Sequence, residues 1–265
     1  MINDISDSDN DRIVLQQVKR KTITSFILFG VAIAIAIIAW NKLNKQPEEQ
    51  QALRPLRKVM RANENIFKHF LSDNSLARTY PVSEAVKKVR VNGYYGLGKD
   101  FNSDQWKLQI IRHEGDTIYL TLNDLKALPK TEIVFDFKCI EGWDQITHWG
   151  GVKFSDVADK YHLVSKSADD FKKHPSANYQ YAGLETPDKK YYVGIDMASM
   201  MHPQTLLCYE MNGQALPINQ GYPLRLIIPV KYGIKNIKRI GTIFFRDQRP
   251  PDYWAERGYD YFSGL

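Results

Sequence analysis

The feature that most constrains this chain is an uncharged, apolar segment close to its N-terminus. Residues 22–41 (TITSFILFGVAIAIAIIAWN) contain no charged side chain. A helix of about 20 residues, rising 1.5 Å per residue, crosses the ~30 Å hydrocarbon core of a bilayer. Few helices buried in soluble proteins are apolar on every side over such a length. We therefore predict one transmembrane helix, with Trp40 at a membrane interface.

A buried core helix and a cleaved signal peptide are the alternatives for this segment. The apolar region of a signal peptide is usually shorter, about 7–15 residues, and is followed by small residues at the cleavage site. Here Trp40-Asn41-Lys42-Leu43 follows, which favours a retained anchor. Basic residues lie both before and after the segment, so the positive-inside rule does not fix the orientation of the helix.

Composition excludes several classes of protein. The net charge is +6, but the basic residues are dispersed, which is typical of a solvated surface and predicts no nucleic-acid partner. Two cysteines, Cys139 and Cys208, do not make a disulfide framework. The G-x-G-x-x-G, Walker, H-E-x-x-H and G-x-S-x-G motifs do not occur, so NAD, ATP and zinc-hydrolase functions have no support.

The pattern of the chain predicts four segments. We expect a polar N-terminal tail over residues 1–21, disordered over residues 1–18. The anchor covers 22–41, a linker and amphipathic helix cover 42–74, and one folded domain covers 75–265. Short β-rich runs separated by turns dominate this domain, so we predict a mainly β, α+β fold. The candidate strands are VRVNGYYGLG, WKLQIIRH, TIYLTLNDLKAL, TEIVFDFKCI, KYYVGIDM, TLLCYEMNG, LRLIIPV and RIGTIFFRD.

Helical patterns intervene between these strands in two places. One covers Leu122–Leu128, with Asn123 as its expected N-cap, and the other covers Phe154–Tyr161, with Ser155 as its expected N-cap.

The chemistry is expected at Cys139, in the segment FDFKCIEGWDQITHWGGVKFSDV (135–157). The strand EIVFDFK delivers Cys139 beside a turn containing Gly142, where a thiolate can meet a ligand. Thiolate suits soft metals and high-valent molybdenum. One cysteine cannot build a zinc or iron–sulfur site, so a metal would have to bring ligands of its own. The alternative is a buried structural cysteine.

The motif K-C-I-E-G-W-x₅-W-G-G-V closely resembles the cysteine loop of the sulfite oxidase-like molybdopterin-dependent oxidoreductases. A second match covers residues 194–241, and the two together span roughly residues 88–250. Its elements keep the family's order and spacing: M-x-P-x-T-L-L, E-M-N-G-x-x-L-P, G-Y-P-L-R-L-I-I-P and K-Y-G-x-K-x-I-K. The segment N-G-Y-Y-G-L-G (92–98) is most similar to the branch that holds the catalytic subunits of periplasmic methionine-sulfoxide reductases.

This resemblance implies a sulfite oxidase-type molybdopterin-binding fold behind one N-terminal transmembrane helix. It implies one molybdenum per chain as Mo-molybdopterin, with Cys139 as the metal ligand and catalytic residue. Gln220 stands where the sulfite oxidases usually have His and the reductases have Asn. By resemblance, the cofactor contacts are Asn92, Tyr95, Gly96, Thr186, Gln220, Arg225, Asn236, Ile237 and Lys238.

The residue types at these positions suit such a ligand, although each has a simpler explanation. Arg225 can donate two hydrogen bonds to a phosphate, and Lys238 follows a Gly-containing loop whose amides can hold an anion. Alternatively, Arg225 forms a surface ion pair and Lys238 is solvated.

The activity implied is oxygen-atom transfer, in which a membrane-anchored oxidoreductase reduces an S-oxide or N-oxide that is a small molecule or protein-bound. One alternative is an oxidase of sulfite or another sulfur compound on the same cofactor. Another is a catalytically silent, membrane-tethered binding module. The sulfite oxidases carry a further dimerisation domain, whereas this chain ends at Leu265, so we expect a reductase-type monomer.

The resemblance also bears on partners and location. No C-x-x-C-H haem motif occurs. We therefore expect no haem in this chain and a separate electron carrier, which is a membrane haem or quinone-linked protein or a cytochrome. The expected location is the bacterial inner membrane, with one span. Because reductase-type relatives are exported, the domain is expected in the periplasm, and a cytoplasm-facing domain is the alternative.

Overall fold

The computed structural model describes residues 3–72, 74–98, 101–112, 116–166 and 178–265. The chain divides into two compact units. The first unit comprises Met1–Glu49 and Leu53–Arg57, and the second comprises Gln50–Ala52 and Lys58–Leu265.

The first unit is dominated by a long helix, α1 (Asn3–Asn44). Its part Val14–Asn44 is long and apolar enough to cross a membrane, and none of it is buried. We predicted a disordered tail over residues 1–18, whereas the structure has α1 beginning at Asn3. Extending an existing helix towards its N-terminus needs no new nucleation.

Two very short strands and a second helix follow α1. The strands are β1 (Glu48–Glu49) and β2 (Ala52–Leu53), and the helix is α2 (Arg54–Phe70). The helix lies within the segment for which apolar spacing predicted an amphipathic helix.

The second unit contains two five-stranded sheets. One sheet has the antiparallel order β10-β9-β6-β5, and β11 pairs with β9 beside this path. Its strands are β5 (Lys130–Lys138), β6 (Asp144–Lys153), β9 (Leu206–Met211), β10 (Gln214–Ala215) and β11 (Arg225–Ile227). Strands β5 and β6 form a long hairpin, and the turn of this hairpin follows Lys138.

The other sheet has the order β4-β3-β12-β7-β8, in which only β3 and β12 are parallel. Its strands are β3 (Leu108–Ile111), β4 (Thr117–Leu120), β7 (Tyr181–Glu185), β8 (Tyr192–Asp196) and β12 (Thr242–Arg246). Among the described residues, the short helices between strands of the unit are α3 (Leu122–Lys126), α4 (Phe154–Tyr161) and α5 (Met197–Met200).

The two sheets share one hydrophobic core. Its largest cluster joins Val152 and Leu226 of the first sheet to Leu108, Leu184 and Ile243 of the second. A smaller cluster contains apolar side chains of β5, β6 and β9 together with Ile227. The fold is therefore α+β and mainly β, as predicted.

Several predicted elements need correction. Residues 89–98 form turns and irregular structure, not a strand, because Gly93 and Gly96 adopt positive φ angles of 72° and 74°. Strand β7 was not predicted. Strand β6 was also missed, because Gly150 and Gly151 are typical of strand interruptions. In the structure the strand continues through a bulge there, and a Cβ on Gly151 would overlap the backbone of β9.

The predicted helix caps were also wrong. Thr121, not Asn123, caps α3, and it does so in a reciprocal capping box with Asp124. The N-cap of α4 is Lys153, which makes no capping hydrogen bond through its side chain.

Candidate cofactor-binding site

A pocket of about 310 Å³ lies in the second unit, at the turn end of the β5–β6 hairpin. The thiol-bearing residue Cys139 lines it, together with the cationic residues Arg225 and Lys238. Aromatic side chains, including Trp149 and Trp254, form much of the remaining wall. The pocket therefore combines one thiol, several cations and a largely aromatic wall, and Arg90 and Glu141 line it as well.

Cys139 is held by a tight turn. The amide of Gly142 donates to the Cys139 carbonyl at 3.0 Å, and the amide of Cys139 donates to the Trp143 carbonyl at 2.9 Å. Gly142 adopts φ = 85°, a conformation that disfavours side chains. Cys139 itself is buried, at 7% exposure. The turn thus fixes the thiol at the pocket wall.

Gly142→Ala should lower both stability and activity. A Cβ meets no atom within 4 Å there, so the cost of about 1–2 kcal/mol comes from the left-handed backbone alone. Relief of that strain would move Cys139, and a displacement of about 1 Å can lower activity roughly a hundredfold. Urea unfolding and steady-state kinetics measure the two effects.

Gly213→Ala is the matched control. Gly213 has φ = 73° and equally open surroundings, but it lies in the β9–β10 turn and does not line the pocket. The Gly213→Ala variant should lose about as much stability as Gly142→Ala, but it should keep its activity. Equal activity in both variants would contradict the role assigned to the Cys139 turn.

The side chain of Asn92 bridges the turn and the thiol. Its Nδ2 donates to Glu141 Oε2 at 3.0 Å and lies 3.8 Å from Cys139 Sγ. Glu141 also accepts a hydrogen bond from Trp143 Nε1 at 3.1 Å. The hydrogen bonds from Asn92 and then Trp143 hold the pKa of Glu141 below its usual range. An ionised Glu141 therefore orients the Asn92 amide beside the thiol.

Arg225 is a buried cation with unused donor capacity. It is 2% exposed, and its Nη1 donates to the carbonyl and Oε1 of Gln220 at 3.1 and 2.9 Å. Its Nη2 donates to the Asn236 carbonyl at 3.3 Å. The buried Nε has no hydrogen-bond partner, and within the described part of the chain no carboxylate pairs with this guanidinium. Burial lowers the pKa of Arg225 to about 10.

Lys238 is the second cation of the pocket. Its Nζ donates to the carbonyls of Asn92, Gly93 and Asn219 at 2.6, 3.1 and 3.3 Å. Burial and, to a smaller extent, Arg225 lower the pKa of Lys238 to about 7. Two cations that share a pocket without a carboxylate between them favour an anionic ligand.

Two further predicted residues shape the pocket mainly by holding backbone. Gln220 is buried, and its Nε2 donates to the carbonyls of Val89 and Arg90 at 3.4 and 3.3 Å. Asn236 accepts from the Ile228 amide at 2.8 Å and donates to the Tyr232 carbonyl at 3.1 Å.

Tyr95 also lines the pocket, at 53% exposure, and its ring lies 5.0 Å from that of Tyr253. The structure therefore brings six of the nine predicted cofactor contacts to the pocket that holds Cys139: Asn92, Tyr95, Gln220, Arg225, Asn236 and Lys238.

Three predicted cofactor contacts do not line this pocket. Gly96 packs on Thr186 so closely that a Cβ would overlap it. The Thr186 hydroxyl is 2.7 Å from Asp188 Oδ1 and accepts from the Tyr191 amide at 3.2 Å. Ile237 lies in the hydrophobic core, and its amide donates to the Lys235 carbonyl.

Sequence reasoning missed several residues of the pocket wall. Arg90 lies 4.8 Å from the Trp143 ring, which itself stacks on Phe137. Tyr191 donates to the Ile234 carbonyl at 2.6 Å and so fixes the segment that contains Asn236. Trp254 belongs to the Tyr-rich C-terminal segment, whose aromatic composition was the available signal.

The donor set limits what the pocket can bind. Within the described ranges, no group of three or more His, Cys, Asp or Glu side chains could hold a metal. A metal bound to Cys139 would therefore have to bring ligands of its own. The unpaired Nε of Arg225 and the ammonium of Lys238 are suited to an anionic part of the same ligand.

Comparisons with known proteins agree with this chemistry. The family model described as "Oxidoreductase molybdopterin binding domain" matches residues 96–254. The "Putative protein-methionine-sulfoxide reductase subunit YedZ1" of Azospira oryzae is 35% identical over 193 residues, which are 72% of this chain and 69% of that protein. The "Protein-methionine-sulfoxide reductase catalytic subunit MsrP" of Campylobacter jejuni is 31% identical over 205 residues, which are 74% of this chain and 68% of that protein.

Among solved structures, the sulfane dehydrogenase SoxCD of Paracoccus pantotrophus matches with a TM-score of 0.45 and 17% identity. The match covers 57% of this chain and 40% of that one.

Proposed function

Because this chain belongs to the molybdopterin-binding oxidoreductase family, we propose that it is a membrane-anchored reductase that removes an oxygen atom from an S-oxide or N-oxide. The observation that carries the proposal is the convergence of Cys139, Arg225 and Lys238 on one enclosed pocket. Two relatives above 30% identity are named as parts of methionine-sulfoxide reductases, which favours a sulfoxide as substrate.

The pocket residues fit a molybdopterin. Cys139 would ligate the metal, which carries the sulfur ligands of the pterin as well, with one molybdenum per chain. Arg225 and Lys238 would hold the phosphate, because the buried Arg225 and the half-buried Lys238 both lack a carboxylate partner in the described part of the chain. When bound, the cofactor supplies oxygen-atom transfer and the accompanying two-electron redox change.

The residues of the chain position the reactants and control the surroundings. The aromatic wall, which includes Phe137, Trp143 and Trp149, lowers the local dielectric and strengthens the interactions of the two cations. Asn92 holds its amide against the Cys139 thiol. Reduction of a sulfoxide consumes two electrons and two protons and releases a sulfide and water. The substrate would approach past the partly exposed rings of Tyr95 and Tyr259.

The pKa of Lys238 predicts a pH dependence of cofactor binding. Its ammonium is charged below about pH 7 and increasingly neutral above it, whereas a bound phosphate favours the charged form. The affinity of the cofactor-free protein should therefore fall as pH rises from 7 to 9, by up to about tenfold per unit. Fluorescence titration with the pterin measures this dependence.

Lys238→Arg is the control for that pH dependence, since a guanidinium stays protonated over this range. The variant should bind with a nearly flat pH profile between 7 and 9. A slope in the variant equal to that of the wild type would assign the dependence to another group.

We also propose that α1 anchors the enzyme as a single span in the bacterial inner membrane, with the catalytic domain in the periplasm. Its apolar segment supports the anchor, and a cytoplasm-facing domain is the alternative. Electrons come from a separate carrier, a membrane haem or quinone-linked protein or a cytochrome, since no haem-attachment motif occurs in the sequence. The enzyme acts as a monomer and binds no nucleic acid.

The test of the proposed reaction uses the full chain purified from a molybdenum-replete host. Oxidation of reduced viologen is followed with methionine sulfoxide and with amine N-oxides, and ferricyanide reduction is followed with sulfite. We expect oxidation of reduced viologen when an oxide is supplied, and little reduction of ferricyanide with sulfite. The opposite result would assign the sulfur-oxidising alternative. A folded protein that binds no molybdenum under these conditions would indicate a silent binding module.

A further inference from the structure

Helix α2 exposes apolar side chains along its length. Val59, Ile66, Phe67 and Phe70 are 56%, 54%, 55% and 72% exposed. At about 100° per residue, these four lie within an arc of roughly 100° around the helix axis. We call them the apolar stripe. Large aromatic and aliphatic side chains clustered on an exposed face are typical of an interaction surface.

Glu64, in contrast to the apolar stripe, is buried and faces the folded domain. Its carboxylate is 2.7 Å from Lys68 Nζ and 2.5 Å from Arg249 Nη2, and its side chain is 1% exposed. Lys68 also donates to the Tyr181 hydroxyl at 3.4 Å. These contacts fix the rotation of α2 on its domain, so the apolar stripe is held facing outward.

Exposed basic side chains lie on a separate part of the surface of α2. Lys58 and Arg61 are exposed on the polar face of α2, and His69 lies beside them. Glu64 is the only acidic residue of the helix, and it is buried. The exposed surface of α2 is therefore apolar and cationic, with no exposed carboxylate. Such a combination is typical of helices that lie in the headgroup region of anionic membranes.

The position of α2 in the chain favours a lipid surface. Helix α1, proposed above as the membrane anchor, ends at Asn44, and α2 begins at Arg54. Nine residues lie between them, so the Cα atoms of Asn44 and Arg54 can be at most about 35 Å apart. The start of α2 is thus tied to the membrane that α1 would span, on whichever side the domain lies.

We propose that α2 is an interfacial helix whose apolar stripe inserts into the membrane that α1 spans and whose basic residues contact anionic phospholipid headgroups. This role depends on the anchor proposed for α1 but not on the proposed substrate. It would hold the catalytic domain against the bilayer in one rotation, rather than leave it on a mobile tether.

The experiment places a tryptophan on each of two faces of α2 in the full chain. Phe70→Trp reports on the apolar stripe, and Asn65→Trp is the matched control, since Asn65 is also exposed but lies about 140° away around the axis. Each variant is reconstituted into phosphatidylcholine vesicles containing brominated lipid, with or without phosphatidylglycerol. The emission of the wild-type chain, which includes Trp40 in the anchor, is subtracted.

An interfacial helix sits about 5–10 Å into the headgroup and acyl boundary, so the emission added by Phe70→Trp should lose roughly half its intensity. The emission added by Asn65→Trp should be quenched clearly less, because Asn65 lies beside Lys58 at the level of the headgroups. Phosphatidylglycerol should increase the quenching at residue 70.

Two results would overturn the proposal, and they differ in what else they affect. If Trp40 is quenched but residue 70 is not, α1 is an anchor while the apolar stripe does not meet lipid, and a protein partner is left as its occupant. If the chain does not float with vesicles, both the anchor and the interfacial helix are wrong. The viologen assay on the same samples reports on the proposed reaction independently of either result.

Discussion

Cys139→Ser should abolish oxide reduction while leaving the fold intact. The hydroxyl of serine is a much poorer ligand for a soft or high-valent metal than a thiolate. Loss of a residue that only hydrogen-bonds to a metal ligand already lowers metal affinity or activity about 10–100-fold. Loss of the ligand itself should therefore lower kcat by at least about a hundredfold. Viologen-linked kinetics, normalised to folded protein, measure the loss.

Cys208→Ala is the matched control for that substitution. Cys208 is the other cysteine of the chain, it is fully buried in the cluster beneath the pocket, and burial raises the pKa of its thiol. Its truncation removes one buried atom and should cost roughly 1 kcal/mol of stability with activity per folded protein retained. If Cys139→Ser retained most of its activity, Cys139 would not be the ligand.

Arg225→Gln should release the cofactor. The guanidinium is buried and lacks a carboxylate in the described part of the chain, so a bound phosphate would be its counterion. Removal of one partner from a buried, hydrogen-bonded charge pair costs about 2–5 kcal/mol, or about 30-fold to 5,000-fold in affinity. The pterin content of the protein after dialysis, together with the rate of pterin loss, measures this effect.

Two further variants make that result specific. Arg225→Lys keeps the charge but not the forked donors, and it should recover part of the affinity. Arg246→Gln, at an exposed arginine of β12 outside the pocket, should leave it unchanged. If Arg225 is instead a structural cation, Arg225→Gln would lower the free energy of unfolding by about 3–5 kcal/mol with pterin affinity retained.

The fold class, most of the strands and part of the site could be predicted from the sequence. Alternating and β-branched runs predicted strands such as β5 and β9, and motif order predicted which loops carry Cys139 and Arg225. Strand β6 was missed because Gly150-Gly151 has the local pattern of a turn. Only its contact with β9, which comes from a segment more than 50 residues away, explains why glycine is needed there.

Local pattern also could not separate pocket residues from those behind them. Gly96 and Ile237 lie in the same motifs as true wall residues, but tertiary packing turns them away from the pocket, and Thr186 packs against Gly96 outside it. Trp254 was missed for the converse reason. It is placed beside Tyr95 by the fold and has no neighbouring motif that marks it.

The most direct test of the central claim is molybdenum X-ray absorption spectroscopy on the purified full chain, wild type beside Cys139→Ser. We expect molybdenum in the wild type, with one more sulfur neighbour than in any molybdenum that the variant retains. Identical sulfur coordination in both proteins would contradict the assignment of Cys139. Wild-type protein that is folded and supplied with cofactor, but contains no molybdenum, would contradict the enzyme proposed here.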